Sequence, residues 1–91
     1  MRERRYDIFF TRTSQKEFIL LPEDVRREIT LVLDEIALDP LRGKPLHGHL
    51  KGLYSERAGK YRIIYKLEKN ELIIVIVSVG HRRDVYNIRK V

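Results

Sequence analysis

The run Leu72-Ile73-Ile74-Val75-Ile76-Val77-Ser78-Val79 constrains this chain more than any other segment. Its nearly uninterrupted apolar and β-branched residues read as a central strand buried on both faces. Ninety-one residues have room for one modest core, so the remaining elements must pack around this strand. Gly80 ends the run, and His81, Arg82, Arg83, Asp84 and Tyr86 arrive together at its exit. Costly, chemically capable side chains at the end of the stiffest element are where a site is expected.

The charge is unevenly spread. Residues 1–41 carry seven Lys/Arg against nine Asp/Glu, and residues 42–91 carry twelve against four. A strongly basic half beside a near-neutral half points to a polyanionic partner, RNA, DNA or an acidic protein. The absence of cysteine excludes a disulfide scaffold and a thiolate zinc site, and it fits a reducing cytosol. The start, Met1-Arg2-Glu3-Arg4-Arg5, leads into a strand-like segment rather than the apolar region of a secretory signal. No apolar run is long enough to span a bilayer. The expectation is one soluble, cytoplasmic domain over residues 1–91.

Tyr6-Asp7-Ile8-Phe9-Phe10-Thr11 reads as a first strand. Ser14-Gln15-Lys16-Glu17 has the spacing of a capping box and predicts a short helix through Phe18 and Leu21, with Ser14 as its cap. Pro22, Glu23 and Asp24 suit the first turn of a second helix, on which Val25, Ile29, Val32, Leu33 and Ile36 share one face. That helix should end near Leu38, ahead of Asp39-Pro40. Residues 41–52, with Pro45, Gly43, Gly48 and Gly52, read as a linker. His47 and His49 fall in it, without a third metal ligand nearby.

The period then changes to two. Leu53–Arg57, Tyr61–Glu68 and the apolar run form a three-stranded antiparallel meander joined by turns at Ala58-Gly59-Lys60 and Lys69-Asn70. Alternation places Tyr61, Ile63, Tyr65 and Leu67 towards the helices, and Arg62, Ile64, Lys66 and Glu68 on the other side. With the first strand at its edge, the fold class is α+β: a four-stranded sheet carrying two helices on one face.

This order of elements, with Gly59-Lys60-Tyr61-Arg62-Ile63-Ile64-Tyr65 in one strand and Gly80-His81-Arg82-Arg83-Asp84-Val85-Tyr86 after the last, resembles the RelE/ParE toxin superfamily. The resemblance runs from Tyr6 to about Arg89. It implies the toxin of a type II toxin–antitoxin pair, held inactive by a cognate antitoxin in a hetero-oligomer. RelE-like members cut mRNA in the ribosomal A site; ParE-like members inhibit DNA gyrase without cutting. A domain that binds RNA or the ribosome and has lost the chemistry is a third reading.

The RelE-type reaction uses the 2′-hydroxyl of the RNA as its nucleophile and needs neither a cofactor nor a metal. A protein must orient that hydroxyl, accept its proton, protonate the departing 5′-oxygen and stabilise charge at phosphorus. Arginine suits the last task, because its planar fork holds two phosphate oxygens and stays charged. Histidine exchanges protons near neutral pH. The resemblance assigns Arg62 to phosphate stabilisation, Arg82 to phosphate or leaving-group protonation, and His81 with Tyr86 to acid–base work or base stacking. Lys51, Arg57 and Lys60 are the expected RNA- or ribosome-binding residues. The chain departs from the RelE nucleases at Leu53 and Ser55, where they place two lysines; Glu56 is then a candidate carboxylate base.

Overall fold

A computed structural model describes residues 5–81. Its elements are β1 (Asp7–Phe10), α1 (Arg12–Ile19), α2 (Glu23–Leu38), β2 (Lys44–Pro45), β3 (Leu53–Ala58), β4 (Tyr61–Glu68) and β5 (Ile73–His81). Short 3-10 turns at Pro40–Arg42, Gly48–Leu50 and Lys69–Glu71 connect them. The sheet has five strands in the order β1-β5-β4-β3-β2, one more than the sequence suggests. The added strand is β2, whose two residues pair with β3 as Lys44↔Ser55 and Pro45↔Tyr54. A strand of two residues has no periodicity to read, and Pro45 argues against it except at an edge, where it lies.

The mixed topology follows from the connections. β3, β4 and β5 are antiparallel neighbours, while β1 runs parallel to β5: the helical hairpin carries the chain from β1 to the far edge of the sheet at β2, and the meander then returns strand by strand until β5 lies beside β1. α2 buries Ile29, Leu33, Ile36 and Ala37, with Val25 and Val32 partly buried, so the helical spacing reads correctly. These side chains pack on Ile63 and Tyr65 of β4 and on Ile74, Ile76 and Val79 of β5. β5 buries one face fully and the other only in part. It also runs on through Gly80 and His81 rather than ending at the glycine.

α1 is capped differently from the capping-box expectation. Thr11 is the cap, and its hydroxyl accepts from the Ser14 N–H at 3.1 Å. Ser14 is instead fully buried and donates to the Ile76 carbonyl at 2.6 Å. Glu17 accepts from the Ser78 hydroxyl at 3.1 Å and the Val79 N–H at 3.0 Å. β1 reaches only as far as Ile76, so α1 serves polar groups of β5 that no strand pairs beyond it. Arg26 on α2 donates to the carbonyls of Ile19 and Leu21 and so ties the end of α1 to α2.

The stretch read as a linker is built into the fold. Leu50 is buried against Leu53 and Ile64 on the face of the sheet away from the helices, with Leu46 and Val77 beside them. On the helix side, Gly43 lies so close to the Tyr65 ring that a Cβ there would collide with the phenol. Tyr65 is fully buried, stacks on Tyr54 with centroids 5.6 Å apart, and donates its hydroxyl to the Pro40 carbonyl at 2.7 Å.

Burial pushes the Tyr65 phenol up from 10.0 to about 12, against an opposing backbone hydrogen bond at Gly43. In the unfolded chain this phenol ionises near 10; in the folded one it holds its proton to about 12. Its contribution to stability is therefore full below pH 10 and is lost as pH rises towards 12. Tyr65→Phe should cost about 1–2 kcal/mol at neutral pH by leaving the Pro40 carbonyl without its donor. That difference from wild type should shrink across the same pH window, as read by denaturant unfolding. A difference that stays constant would show that Tyr65 does not carry the shift.

Candidate functional site

The sheet face away from the helices carries the cations. Register sets which side chains share it, because residues directly opposite in an antiparallel pair project to one side. Arg62 lies opposite Arg57 on β3 and Gly80 on β5. Ile64 lies opposite Ser55, which in turn lies opposite Lys44 on β2. Lys66 lies opposite Leu53. The predicted alternation along β4 therefore places Arg62, Ile64 and Lys66 together on this face. Ile64 and Leu53 are covered by the Leu46–Leu50 segment. Arg62 lies beyond that cover, half-buried.

Two features make this corner suited to an anion. Like charges directly across a strand pair repel, so Arg57 opposite Arg62 weakens the sheet unless something negative lies between them. Neither arginine has a carboxylate partner among the described residues. The Arg62 Nη1 instead approaches the buried Ser55 hydroxyl at 3.4 Å. Lys66, by contrast, is paired with Glu68 at 3.2 Å. A planar guanidinium on a rigid central strand, with a second arginine opposite it on β3, suits two oxygens of one phosphate.

His81 does not join Arg62 on that face. It lies opposite Tyr61, and the two rings meet edge-on with centroids 5.8 Å apart, on the side that Tyr61 shares with the core. The cause is a register shift between Ile64 and Tyr65, whose partners on β5 are Ser78 and Ile76. The extra residue, Val77, reverses the alternation for everything after it. It brings Gly80 beneath Arg62 and turns His81 the other way.

Arg82 and Tyr86 lie outside the described residues. Lys51 is exposed at the end of the Gly48–Leu50 turn, and Lys60 is exposed in the turn between β3 and β4. His47 and His49 are exposed on either side of Gly48 in a 3-10 turn rather than along a strand. Glu56 is engaged elsewhere: it lies opposite Ile63, on the helix side, and accepts from Arg42 Nε at 2.6 Å. It does not share a face with Arg62, which removes it as the carboxylate base for a phosphate held there. Lys44 is one of the basic residues of the stretch read as a linker; the structure puts it on β2, opposite Ser55.

The fold is a small α+β domain with a helical hairpin on one side of its sheet and Arg57 and Arg62 on the other. The comparisons say which family has it. The sequence matches the family described as ParE toxin of type II toxin–antitoxin system, parDE, over residues 8–86. Toxin RelG of Mycobacterium tuberculosis is 34% identical over 83 residues, which cover 89% of this chain and 95% of RelG. The toxin–antitoxin complex RelBE2 of the same organism contains a chain that superposes with a TM-score of 0.82 at 32% identity, covering 91% of this chain and 98% of that one. The intact RelBE complex of Escherichia coli gives 0.73 at 25% identity, covering 84% and 95%. The chain belongs to the ParE toxin family of type II toxin–antitoxin systems, within the RelE/ParE superfamily, and its fold is that of the RelE toxins.

Proposed function

We propose that this toxin is a ribosome-dependent endoribonuclease, cutting mRNA in the A site through the RNA's own 2′-hydroxyl, without a metal or cofactor. The observation that carries this reading is the Arg57–Arg62 cross-strand pair, two arginines directly opposite on one sheet face with no carboxylate partner among the described residues. In the reaction the 2′-oxygen attacks phosphorus and the P–O5′ bond breaks. A base takes the 2′-proton and an acid returns one to the 5′-oxygen, leaving a 2′,3′-cyclic phosphate and a 5′-hydroxyl. Arg62 stabilises the charge on the non-bridging oxygens as it grows, with Arg57 adding to the field. Arg82 and Tyr86 take their roles from the family resemblance, as phosphate contact or leaving-group acid and as acid–base or stacking residue. His81 takes from the family resemblance a role in acid–base work or stacking, although it lies on the helix side of the sheet against Tyr61 and not on the face of Arg62. Lys51 and Lys60 contact ribosome or message.

The partner that restrains it is a cognate antitoxin, as in the RelBE complexes of M. tuberculosis and E. coli. The pair forms a hetero-oligomer in the cytoplasm. Among the described residues no helix is long and apolar enough to cross a membrane.

A second reading, ParE-like inhibition of DNA gyrase, is favoured by the matched family and by the uncharged Leu53 and Ser55 on β3. Primer extension on a defined mRNA in a purified translation system, beside a ribosome-free control, separates the two. New ends within A-site codons that need the ribosome support the nuclease. An intact message with unimpaired translation, and loss of gyrase supercoiling on adding the protein, would replace it with the second reading.

A further inference from the structure

β3 sends two uncharged side chains, Leu53 and Ser55, to the face that carries Arg62. Charge on the far side of Ser55 comes from the neighbouring edge strand, where Lys44 lies directly opposite it. The Arg62 guanidinium points along the same diagonal, towards the Ser55 hydroxyl. Lys44 and Arg62 thus flank one buried hydroxyl, and the four-carbon stem of lysine gives its ammonium the reach to close on whatever Arg62 holds.

The backbone around Lys44 is held far more tightly than an exposed edge lysine needs. On one side, Gly43 is buried against the Tyr65 phenol, and Tyr65 is bonded to Pro40. Arg42, one residue earlier, is paired with Glu35 at 3.0 Å and Glu56 at 2.6 Å. On the other side, the Leu46 N–H donates to the Leu53 carbonyl at 2.9 Å. Lys44 itself is exposed and has no ion pair among the described residues. A fixed backbone under an unpaired cation is the arrangement a preorganised binding group requires.

We propose that Lys44 is a phosphate-contacting residue of this site, its ammonium and the Arg62 guanidinium holding the same RNA phosphate from two sides. The inference rests on the nuclease reading above. In the ground state the phosphate carries one charge; as the 2′-oxygen adds, charge on the non-bridging oxygens rises, and the ammonium binds that state more strongly. Its loss should therefore appear in the turnover rate at saturating ribosomes more than in ribosome binding.

The absence of cysteine from the chain makes a clean test available. Lys44→Cys should lower the ribosome-dependent cleavage rate by about 10- to 100-fold. Alkylation of that cysteine with bromoethylamine, which rebuilds a side chain of lysine length ending in an ammonium, should restore most of the loss. Lys44→Arg should stay within a few-fold of wild type. Lys69→Gln, which removes the same charge from the far turn, should leave the rate unchanged. Melting temperatures of all variants should agree, since an exposed side chain is being changed. Cleavage by Lys44→Cys at the wild-type rate, with Arg62→Ala inactive, would overturn the role of Lys44 alone. A loss that aminoethylation does not repair would overturn it equally. A wild-type protein that makes no ribosome-dependent cut would overturn the nuclease reading and this inference with it.

Discussion

Arg62→Ala is expected to lower ribosome-dependent mRNA cleavage by about a hundredfold to a thousandfold, the range lost when one preorganised donor to a charged transition state is removed. The fold should be untouched. Arg62 gives the sheet little: its hydrogen bond to Ser55 is long, at 3.4 Å, and it has Arg57 directly across the strand pair. Removing it relieves a like-charge repulsion and leaves no buried charge without a partner. The melting temperature should therefore stay level or rise slightly while activity collapses. Opposite movement of stability and activity marks a residue kept for its ligand rather than for the fold. Arg62→Lys should fall between the two, because it keeps the charge and loses the two-pronged geometry. Initial rates of primer-extension products beside thermal melts on the same preparations decide the matter. Cleavage by Arg62→Ala at the wild-type rate would show that phosphate is not held on this face.

The elements that the sequence reveals are those whose reasons are local. Alternation in β4 assigns Tyr61, Ile63 and Tyr65 to the core and Arg62 to the opposite face, because a strand buried on one side repeats every two residues. The face of α2 is legible for the same reason at helical spacing. What escapes is set by contacts between distant residues. Ser14 looks like a cap, yet its hydroxyl is claimed by Ile76, 62 residues away, and Thr11 caps the helix in its place. Glu17 looks like the other half of a capping box and serves Ser78 and Val79 on β5.

The site divides in the same way. Arg62 follows from its own strand, whereas the parting of His81 from it depends on a single inserted residue, Val77, that only the pairing of β5 with β4 reveals. Lys44 depends on a strand two residues long, fixed by a glycine–tyrosine contact across the sheet edge. A pattern of residue types along one segment carries no record of either. The basic charge of residues 42–91 was visible from the start, but which cations gather around one hydroxyl was not.

That glycine–tyrosine contact carries the second large effect, in stability. Gly43→Ala is expected to destabilise the protein by about 2–4 kcal/mol, combining overpacking with damage to a buried hydrogen bond. Gly43 has an ordinary extended backbone with φ −71° and ψ 157°, so alanine costs nothing through conformation. The cost is steric: the new Cβ would collide with the Tyr65 hydroxyl and lie 2.9 Å from the ring carbon that bears it. The ring cannot swing aside cheaply, being fully buried, stacked on Tyr54 and bonded to Pro40. Either the phenol leaves Pro40 or the backbone at Gly43 lifts from the sheet. Tyr65→Phe removes the atom met first, so Gly43→Ala should cost less in that background than in wild type. A double-mutant cycle by denaturant unfolding reads this as an energy of coupling of about 1 kcal/mol or more. Strict additivity would show that the backbone, rather than the phenol, yields. In that case β2 is displaced and Lys44 moves with it, so the single variant should lose cleavage as well as stability, and the loss should persist when Tyr65→Phe is added.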